Sequence, residues 1–268
     1  MKTLLLLLLG AYAALCLLVF VFQRKFIYFP RRWGQEEEQR ANPGYEEVRM
    51  RTADGERLHA WLHRSAGSPW TVIVFHGNAG NLWFHEPSMK PFKTLGLQVL
   101  LFDYRGYGLS TGEPSQEGLL RDGEAAVDYA EKVLRIPRER LVYFGQSLGT
   151  GVATGVAVQR PPGRLILQSA YDSLPHVARA HYPFLPAGLL LRDRFDSGDA
   201  MQRIHCPVLL VHPAEDEIIP AALGRALFER AHEPKRFVLI PGARHNDLPD
   251  SFPPLYLRIL REFLMTAR

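Results

Sequence analysis

Cysteine is nearly absent. The 268-residue chain has 2, Cys16 inside an apolar run and Cys206 just ahead of an expected strand. That placement gives no disulfide framework and no Cys-x-x-Cys pair, and no His-Glu-x-x-His pattern occurs, so neither a metal nor an organic cofactor is expected. So few cysteines say little about compartment. An excess of one charge is also missing: the net charge is +4, and the Lys and Arg residues are scattered except for one cluster after the first apolar run. Without a basic stretch interleaved with aromatics there is no nucleic-acid footprint. Internal repeats are absent, and the only low-complexity tract is a set of leucines at the amino terminus.

Those leucines open the longest hydrophobic run, Leu4 to Phe22, which carries no charge. Nineteen residues approach the roughly 20 needed to span a bilayer as a helix. A cleaved signal peptide is the alternative, but its apolar core is usually about 7–15 residues and ends at a small-x-small site. Here the run ends Leu17-Leu18-Val19-Phe20-Val21-Phe22, a poor cleavage site, and Ala13-Ala14-Leu15-Cys16 puts a bulky Leu15 where a lipoprotein signal wants a small residue. Residues 1–25 are therefore read as an uncleaved, single-pass membrane anchor. Arg24, Lys25, Arg31 and Arg32 outnumber Lys2 across the run. The positive-inside rule read alone puts the carboxyl-terminal domain in the cytoplasm, whereas a single amino-terminal anchor commonly exports the domain it carries. The side of the membrane stays open. Phe26, Tyr28, Phe29 and Trp33 are candidates for interface aromatics beside the cationic pair Arg24 and Lys25.

Residues 26–44 read as a linker, polar from residue 31, with Glu36-Glu37-Glu38 as solvated surface. From Tyr45 to the carboxyl terminus the pattern is that of one folded domain, and 47% hydrophobic residues suffice for its core. Glu47–Arg51 and Leu58–His63 flank Asp54-Gly55, a hairpin signal. Short, unalternating apolar runs come next, at Thr71–His76, Gln98–Asp103, Leu141–Phe144, Arg164–Gln168, Val208–His212 and Arg236–Ile240. Such runs suit strands buried on both faces of a parallel sheet. Helical stretches fall at about 114–134, 150–159, 221–231 and 254–265, so strand and helix alternate: an α/β fold, its central sheet mostly parallel, with helices on both faces. Residues 172–204 break that rhythm and read as a small lid-like insertion.

The strongest chemical signal is Gly145-Gln146-Ser147-Leu148-Gly149, a Gly-x-Ser-x-Gly motif between an expected strand and an expected helix. The nucleophile in such a motif sits on a very tight strand-to-helix turn, and the glycines let neighbouring backbone pass close to it. A serine hydroxyl also needs a base and an orienting acid, which come after the serine in the order acid, then base. Of the ten histidines, His245, after the last strand, fits the base. Asp216, past the strand Val208–His212, fits the acid, with Asp172 after the preceding strand as the alternative and Glu215 and Glu217 as close neighbours. His76-Gly77-Asn78 follows the strand from Thr71. The loop there supplies one backbone donor to an oxyanion hole and the residue after the nucleophile supplies the other, which selects the N–H groups of Asn78 and Leu148. His76 reads as a residue that holds this loop rather than as a second base.

Taken together, His76-Gly77-Asn78-Ala79-Gly80, Asp103-Tyr104-Arg105-Gly106-Tyr107-Gly108-Leu109-Ser110, Gly145 to Gly149 and His245-Asn246-Asp247 resemble the membrane-anchored branch of the α/β-hydrolases that contains protein depalmitoylases and lysophospholipases. Phe26-Ile27-Tyr28-Phe29-Pro30 after the anchor is similar too. Two stretches depart from the pattern: His212-Pro213 where relatives often have His-Gly, and residues 172–204. The resemblance implies a serine hydrolase acting through an acyl-enzyme, and places residues 103–110 beside the site as a structural loop. Its substrates would be carboxylic esters or thioesters, small molecules or lipids, with lipidated proteins among the candidates. The apolar stretch from His181 to Leu191 is read either as a lid over an acyl pocket or as a packing helix. A serine peptidase of the same fold and a non-catalytic, membrane-tethered interaction protein are the alternative functions.

Overall fold

Asp54-Gly55 turns the chain back on itself, and Gly55 has φ +94° at that turn, a conformation glycine reaches without steric cost. In the computed structural model, which describes residues 1–34, 44–248 and 253–265, this hairpin joins β2 (Glu46–Arg51) and β3 (Arg57–His63) and opens an eight-stranded sheet. The other strands are β4 (Thr71–Phe75), β6 (Gln98–Phe102), β7 (Leu141–Gln146), β8 (Arg164–Gln168), β9 (Val208–Pro213) and β10 (Lys235–Ile240), in the spatial order β10-β9-β8-β7-β4-β6-β3-β2. Pairing is parallel from β10 to β6 and antiparallel at β3 and β2. Every residue of β4, β6, β8 and β9 is buried, as expected of strands covered on both faces. Only β10 departs from that expectation: it is an edge strand, and Leu239 on it is 44% exposed.

The helices are α1 (Lys2–Ile27), α2 (Leu82–His85), α3 (Lys90–Thr94), α4 (Gln116–Asp128), α5 (Leu148–Gln159), α6 (Leu174–His181), α7 (Ala187–Leu190), α8 (Ser197–Met201), α9 (Ala221–Glu229) and α10 (Pro253–Met265). One face of the sheet packs Leu119 and Ala126 of α4, Val152 and Val156 of α5, Met201 of α8 and Leu227 of α9 around Ile73, Phe75 and Tyr143. The opposite face packs Phe92 of α3 and Tyr256, Leu260 and Phe263 of α10 around Val72, Val74 and Phe144. The expected α/β layering is therefore present, and α6, α7 and α8 all fall within the insertion 172–204.

At 26 residues, α1 is about 39 Å long at 1.5 Å per residue. It is the one helix among the described residues long and apolar enough to cross a membrane, a property that anchors share with signal sequences. It runs two residues past the boundary expected at 25, and the chain after it is not free linker. Phe29 and Pro30 (β1) pair with Ala79 and Gly80 (β5) as a two-stranded parallel ribbon, and Arg32 bridges to Gly108. Tyr28 is 3% exposed, its hydroxyl donating to Asp193 at 2.9 Å. It therefore belongs to the core rather than to a membrane interface, whereas Phe26 and Phe29 are exposed. The Glu36-Glu37-Glu38 surface lies outside the described residues.

Candidate active site

Ser147 sits between the last residue of β7 and the first of α5 with φ 52° and ψ −122°. A non-glycine residue rarely holds such a conformation, which costs on the order of 1–3 kcal/mol. The surroundings impose it. Ser147 N donates to Gln168 O at 3.0 Å, and Thr150 closes the turn through its N–H (2.9 Å) and hydroxyl (2.7 Å) on Ser147 O. The flanking glycines are required by packing. A Cβ at Gly145 would lie 2.7 Å from Gly149 O, and one at Gly149 would lie 1.9 Å from Phe75 O and 2.5 Å from His76 O. Helix α5 can approach β4 only because position 149 has no side chain.

His245 comes from the loop between β10 and α10 and is 5% exposed. Its Nε2 lies 3.1 Å from Ser147 Oγ, and its Nδ1 lies 2.8 Å from both carboxylate oxygens of Asp216. Asp216, past the end of β9, also accepts from the N–H groups of Ile218 (3.0 Å) and Ile219 (2.7 Å). Burial pushes the Asp216 carboxyl up, but the hydrogen bond and charge of His245, with these two backbone donors, outweigh it and hold the group below the usual carboxylate range. An ionised Asp216 accepts from Nδ1–H, the arrangement in which a neutral imidazole turns the lone pair of Nε2 toward Ser147.

The structure thus brings Ser147, His245 and Asp216 into one hydrogen-bonded chain. Asp172 lies outside it: its carboxylate is 2.6 Å from His176 Nδ1. Glu215 has no part in it either; its N–H donates to Ala243 O, while Glu217 accepts from His245 N at 3.2 Å. The loop after β4 reaches the same place, since a Cβ at Gly77 would lie 3.7 Å from Ser147 Cβ. Asn78, next in that loop, is held by its carbonyl, which accepts from Phe29 N (2.9 Å) and Tyr107 Oη (2.8 Å), and by its side-chain amide, which donates to Ile27 O at 3.0 Å. Leu148 is the first residue of α5, so its N–H has no partner four residues back within the helix. His76 is fully buried, stacked 4.4 Å from the His85 ring with Nδ1 on Gly77 O, which suits a loop-holding role.

Further residues brace the site: the 103–110 loop was expected beside it, whereas His212 and the residues after α1 were not expected to take part. His212 is fully buried at the end of β9, its Nε2 2.9 Å from Ile219 O and 3.6 Å from Asp216, so it braces the acid loop; the His212-Pro213 pair was its signal. Tyr107 and the residues after α1 brace Asn78. The 103–110 loop is locked from below by Arg105, whose guanidinium pairs with the buried Asp122 and with Asp54. Among the described residues no cluster of three or more His, Cys, Asp or Glu is arranged to hold a metal ion.

Residues 71–186 match the family model of the alpha/beta hydrolase fold. The alpha/beta hydrolase domain-containing protein WAV2 of Arabidopsis thaliana is 30% identical over 94% of this chain and 90% of its own. The lysophosphatidylserine lipase ABHD12 of Danio rerio is 34% identical over 76% of this chain and 60% of its own. Among solved structures, the esterase Pf2001 of Pyrococcus furiosus superposes with a TM-score of 0.69 at 21% identity, covering 89% of this chain and 97% of the esterase.

Proposed function

The chain belongs to the α/β-hydrolase fold family, and from that premise we propose that it is a membrane-anchored serine hydrolase that cleaves carboxylic ester or thioester bonds of acyl substrates. The observation that carries this reading is the continuous chain Ser147–His245–Asp216, with contacts of 3.1 and 2.8 Å. His245 Nε2 takes the hydroxyl proton as Ser147 Oγ bonds to the acyl carbon. The carbonyl oxygen gains the negative charge, and the N–H groups of Asn78 and Leu148 receive it. Each such donor is worth about 2.7–4 kcal/mol in the transition state. Asp216 stabilises the imidazolium that forms and keeps its orientation. Collapse of the adduct breaks the bond to the alcohol or thiol, which leaves with the proton from His245. Water, deprotonated by the same nitrogen, then repeats the attack on the acyl-enzyme, releasing the acid and restoring Ser147.

Two considerations support an acyl-lipid substrate. One relative is a lysophosphatidylserine lipase. The other is α1, read as an uncleaved anchor that holds the site at a membrane. A fluorophosphonate probe tests the reading: the wild-type protein labels, and Ser147→Ala abolishes labelling and lowers turnover by about 10⁶. No labelling of the folded wild type overturns it in favour of a non-catalytic interaction protein. Nitrophenyl esters of increasing chain length then define the acyl group, and a preference for acetyl over long chains removes the lipid assignment.

A further inference from the structure

One stripe of α1 faces the rest of the chain. Cys16, Val19, Gln23 and Ile27 are less exposed than their neighbours, and Tyr12 stands one turn earlier in the same stripe, at spacings of three and four residues. What this stripe meets is the insertion. Tyr12 Oη donates to Phe184 O at 2.7 Å. Gln23, 1% exposed, donates from Nε2 to Leu190 O (3.0 Å) and accepts at Oε1 from Arg192 N (2.6 Å). Arg24 and Tyr28 both reach Asp193, at 3.2 and 2.9 Å, and the Arg192 guanidinium lies 5.1 Å from the centre of the Phe20 ring.

These contacts align two polarity boundaries. On α1 the apolar run ends at Phe22 and polar residues begin with Gln23-Arg24-Lys25; on the insertion the apolar run ends at Leu191 and charge begins with Arg192-Asp193-Arg194. Gln23 ties the two boundaries together. On the apolar side, Tyr182 to Leu191 contains no charged residue, and Tyr182, Phe184 and Leu189 are 54%, 60% and 85% exposed. Most of its backbone N–H groups are paired within the protein, those of Phe184 and Gly188 excepted. Pro183 and Pro186 have no N–H, and the N–H groups of Leu185, Ala187, Leu189, Leu190 and Leu191 all bond to carbonyls within residues 182–187. The carbonyls of Phe184, Gly188 and Leu190 accept from Tyr12, Arg194 and Gln23. Pairing of these groups within the protein lowers the cost of moving the segment out of water.

Position along α1 gives the depth. Tyr12 precedes Gln23 by eleven residues, about 16 Å of helix, half of a hydrocarbon core about 30 Å thick. We infer that Tyr182–Leu191 is a wedge immersed in the acyl chains of the leaflet that holds the second half of α1, with Arg24, Lys25, Arg192 and Arg194 at headgroup level. The inference rests on α1 being the membrane anchor proposed above. It also narrows the substrate. Helix α6 ends at His181, whose Nε2 lies 2.7 Å from Ile218 O, two residues beyond Asp216. The wedge is thus joined to the acid loop, and the class of substrate it favours is an acyl ester that stays in the leaflet and reaches Ser147 laterally.

The test uses the full chain in phosphatidylcholine vesicles and needs no turnover. In a Cys16→Ala, Cys206→Ala background, an environment-sensitive NBD label is placed at Leu189→Cys, at Phe184→Cys and, as control, at Lys132→Cys, an exposed site near the opposite end of the parallel strands. The expected result is blue-shifted emission at 189 and 184, quenched by nitroxides on lipid acyl chains and shielded from aqueous iodide, with the reverse at 132. Quenching by iodide at 189 and 184 to the same extent as at 132, in vesicles that keep the protein through an alkaline carbonate wash, overturns the wedge. Loss of the protein in that wash overturns anchor and wedge together. Failure of the catalytic reading is seen separately, as absent fluorophosphonate labelling with the depth signals intact.

Discussion

Asp216→Asn separates the acid's electrical role from its shape. The amide is nearly isosteric, and its Oδ1 still accepts from Ile218 and Ile219 N–H, at 3.0 and 2.7 Å in the wild type, so the acid loop keeps its form. What changes is Oδ2, the one of the two oxygens beside His245 Nδ1 that the backbone does not hold. The carboxylate accepts there at 2.8 Å, which leaves a lone pair on Nε2, 3.1 Å from Ser147 Oγ. With Oδ1 engaged by the backbone, the amide nitrogen faces Nδ1 and donates. The imidazole then holds its proton on Nε2 and has no lone pair for the serine proton. The same exchange in a serine protease costs about 10⁴ in kcat, or about 5.5 kcal/mol in the transition state. The cost in stability is about 1–3 kcal/mol, so the variant stays folded. Acylation by a nitrophenyl ester in single turnover, beside the rate of fluorophosphonate labelling, measures the effect. Asp172→Asn is the control: its carboxylate bonds His176 at 2.6 Å, outside the serine chain, and its rate is expected within about twofold of wild type, the range of an uncoupled site. Acylation within tenfold of wild type for Asp216→Asn, or the larger loss in Asp172→Asn, refutes the assignment.

Two further predictions concern stability. Burial, opposed in part by a hydrogen bond to Ala79 O, holds His85 down to about 4, against about 6.5 in an unfolded chain. Between those values the unfolded chain binds a proton that the folded chain does not. Stability is therefore full above pH 6.5, falls as pH drops, and has lost about 3 kcal/mol from this group once pH passes 4. Urea midpoints from pH 7 to 4 track the loss, and His85→Gln should flatten the curve; a curve parallel to wild type refutes the attribution. The second compares two glycines. Gly149→Ala drives a methyl into Phe75 O at 1.9 Å, whereas Gly188→Ala meets nothing within 4 Å. Urea titration should show a loss of about 3 kcal/mol or more for the first and about 0.5 or less for the second; equal tolerance refutes the packing account.

Much of this architecture was readable because its determinants are local. The run Arg164–Gln168 is β8 to the residue, and Leu141–Phe144 is β7 less its last two, because strands buried on both faces must be apolar throughout. Gly145, Ser147 and Gly149 were readable for the same reason: one tight turn needs all three within five residues. The choice of acid was not local. Asp216 and Asp172 both come after a parallel strand, and what separates them is which histidine each faces: His245 from beyond β10, or His176 one turn along α6. Strand β10 read as buried because an apolar edge strand and an apolar central strand look alike until their neighbours are known.

The stretch after α1 misled for a different physical reason. Two-residue pairing, Phe29–Pro30 with Ala79–Gly80, is too short to leave a period, and Tyr28 among exposed aromatics looks like an interface residue until Asp193 is placed beside it. Gln23 is the extreme case. In sequence it only marks where an apolar run stops. Its amide joins Leu190 O to Arg192 N, groups 167 and 169 residues away, through backbone atoms that carry no sequence signature at all. Motif reading finds groups that must be near each other in the chain or must be of one chemical type. A clamp made of one polar side chain and a distant peptide backbone satisfies neither condition, which is why the link between α1 and residues 190–192 emerges only from the fold.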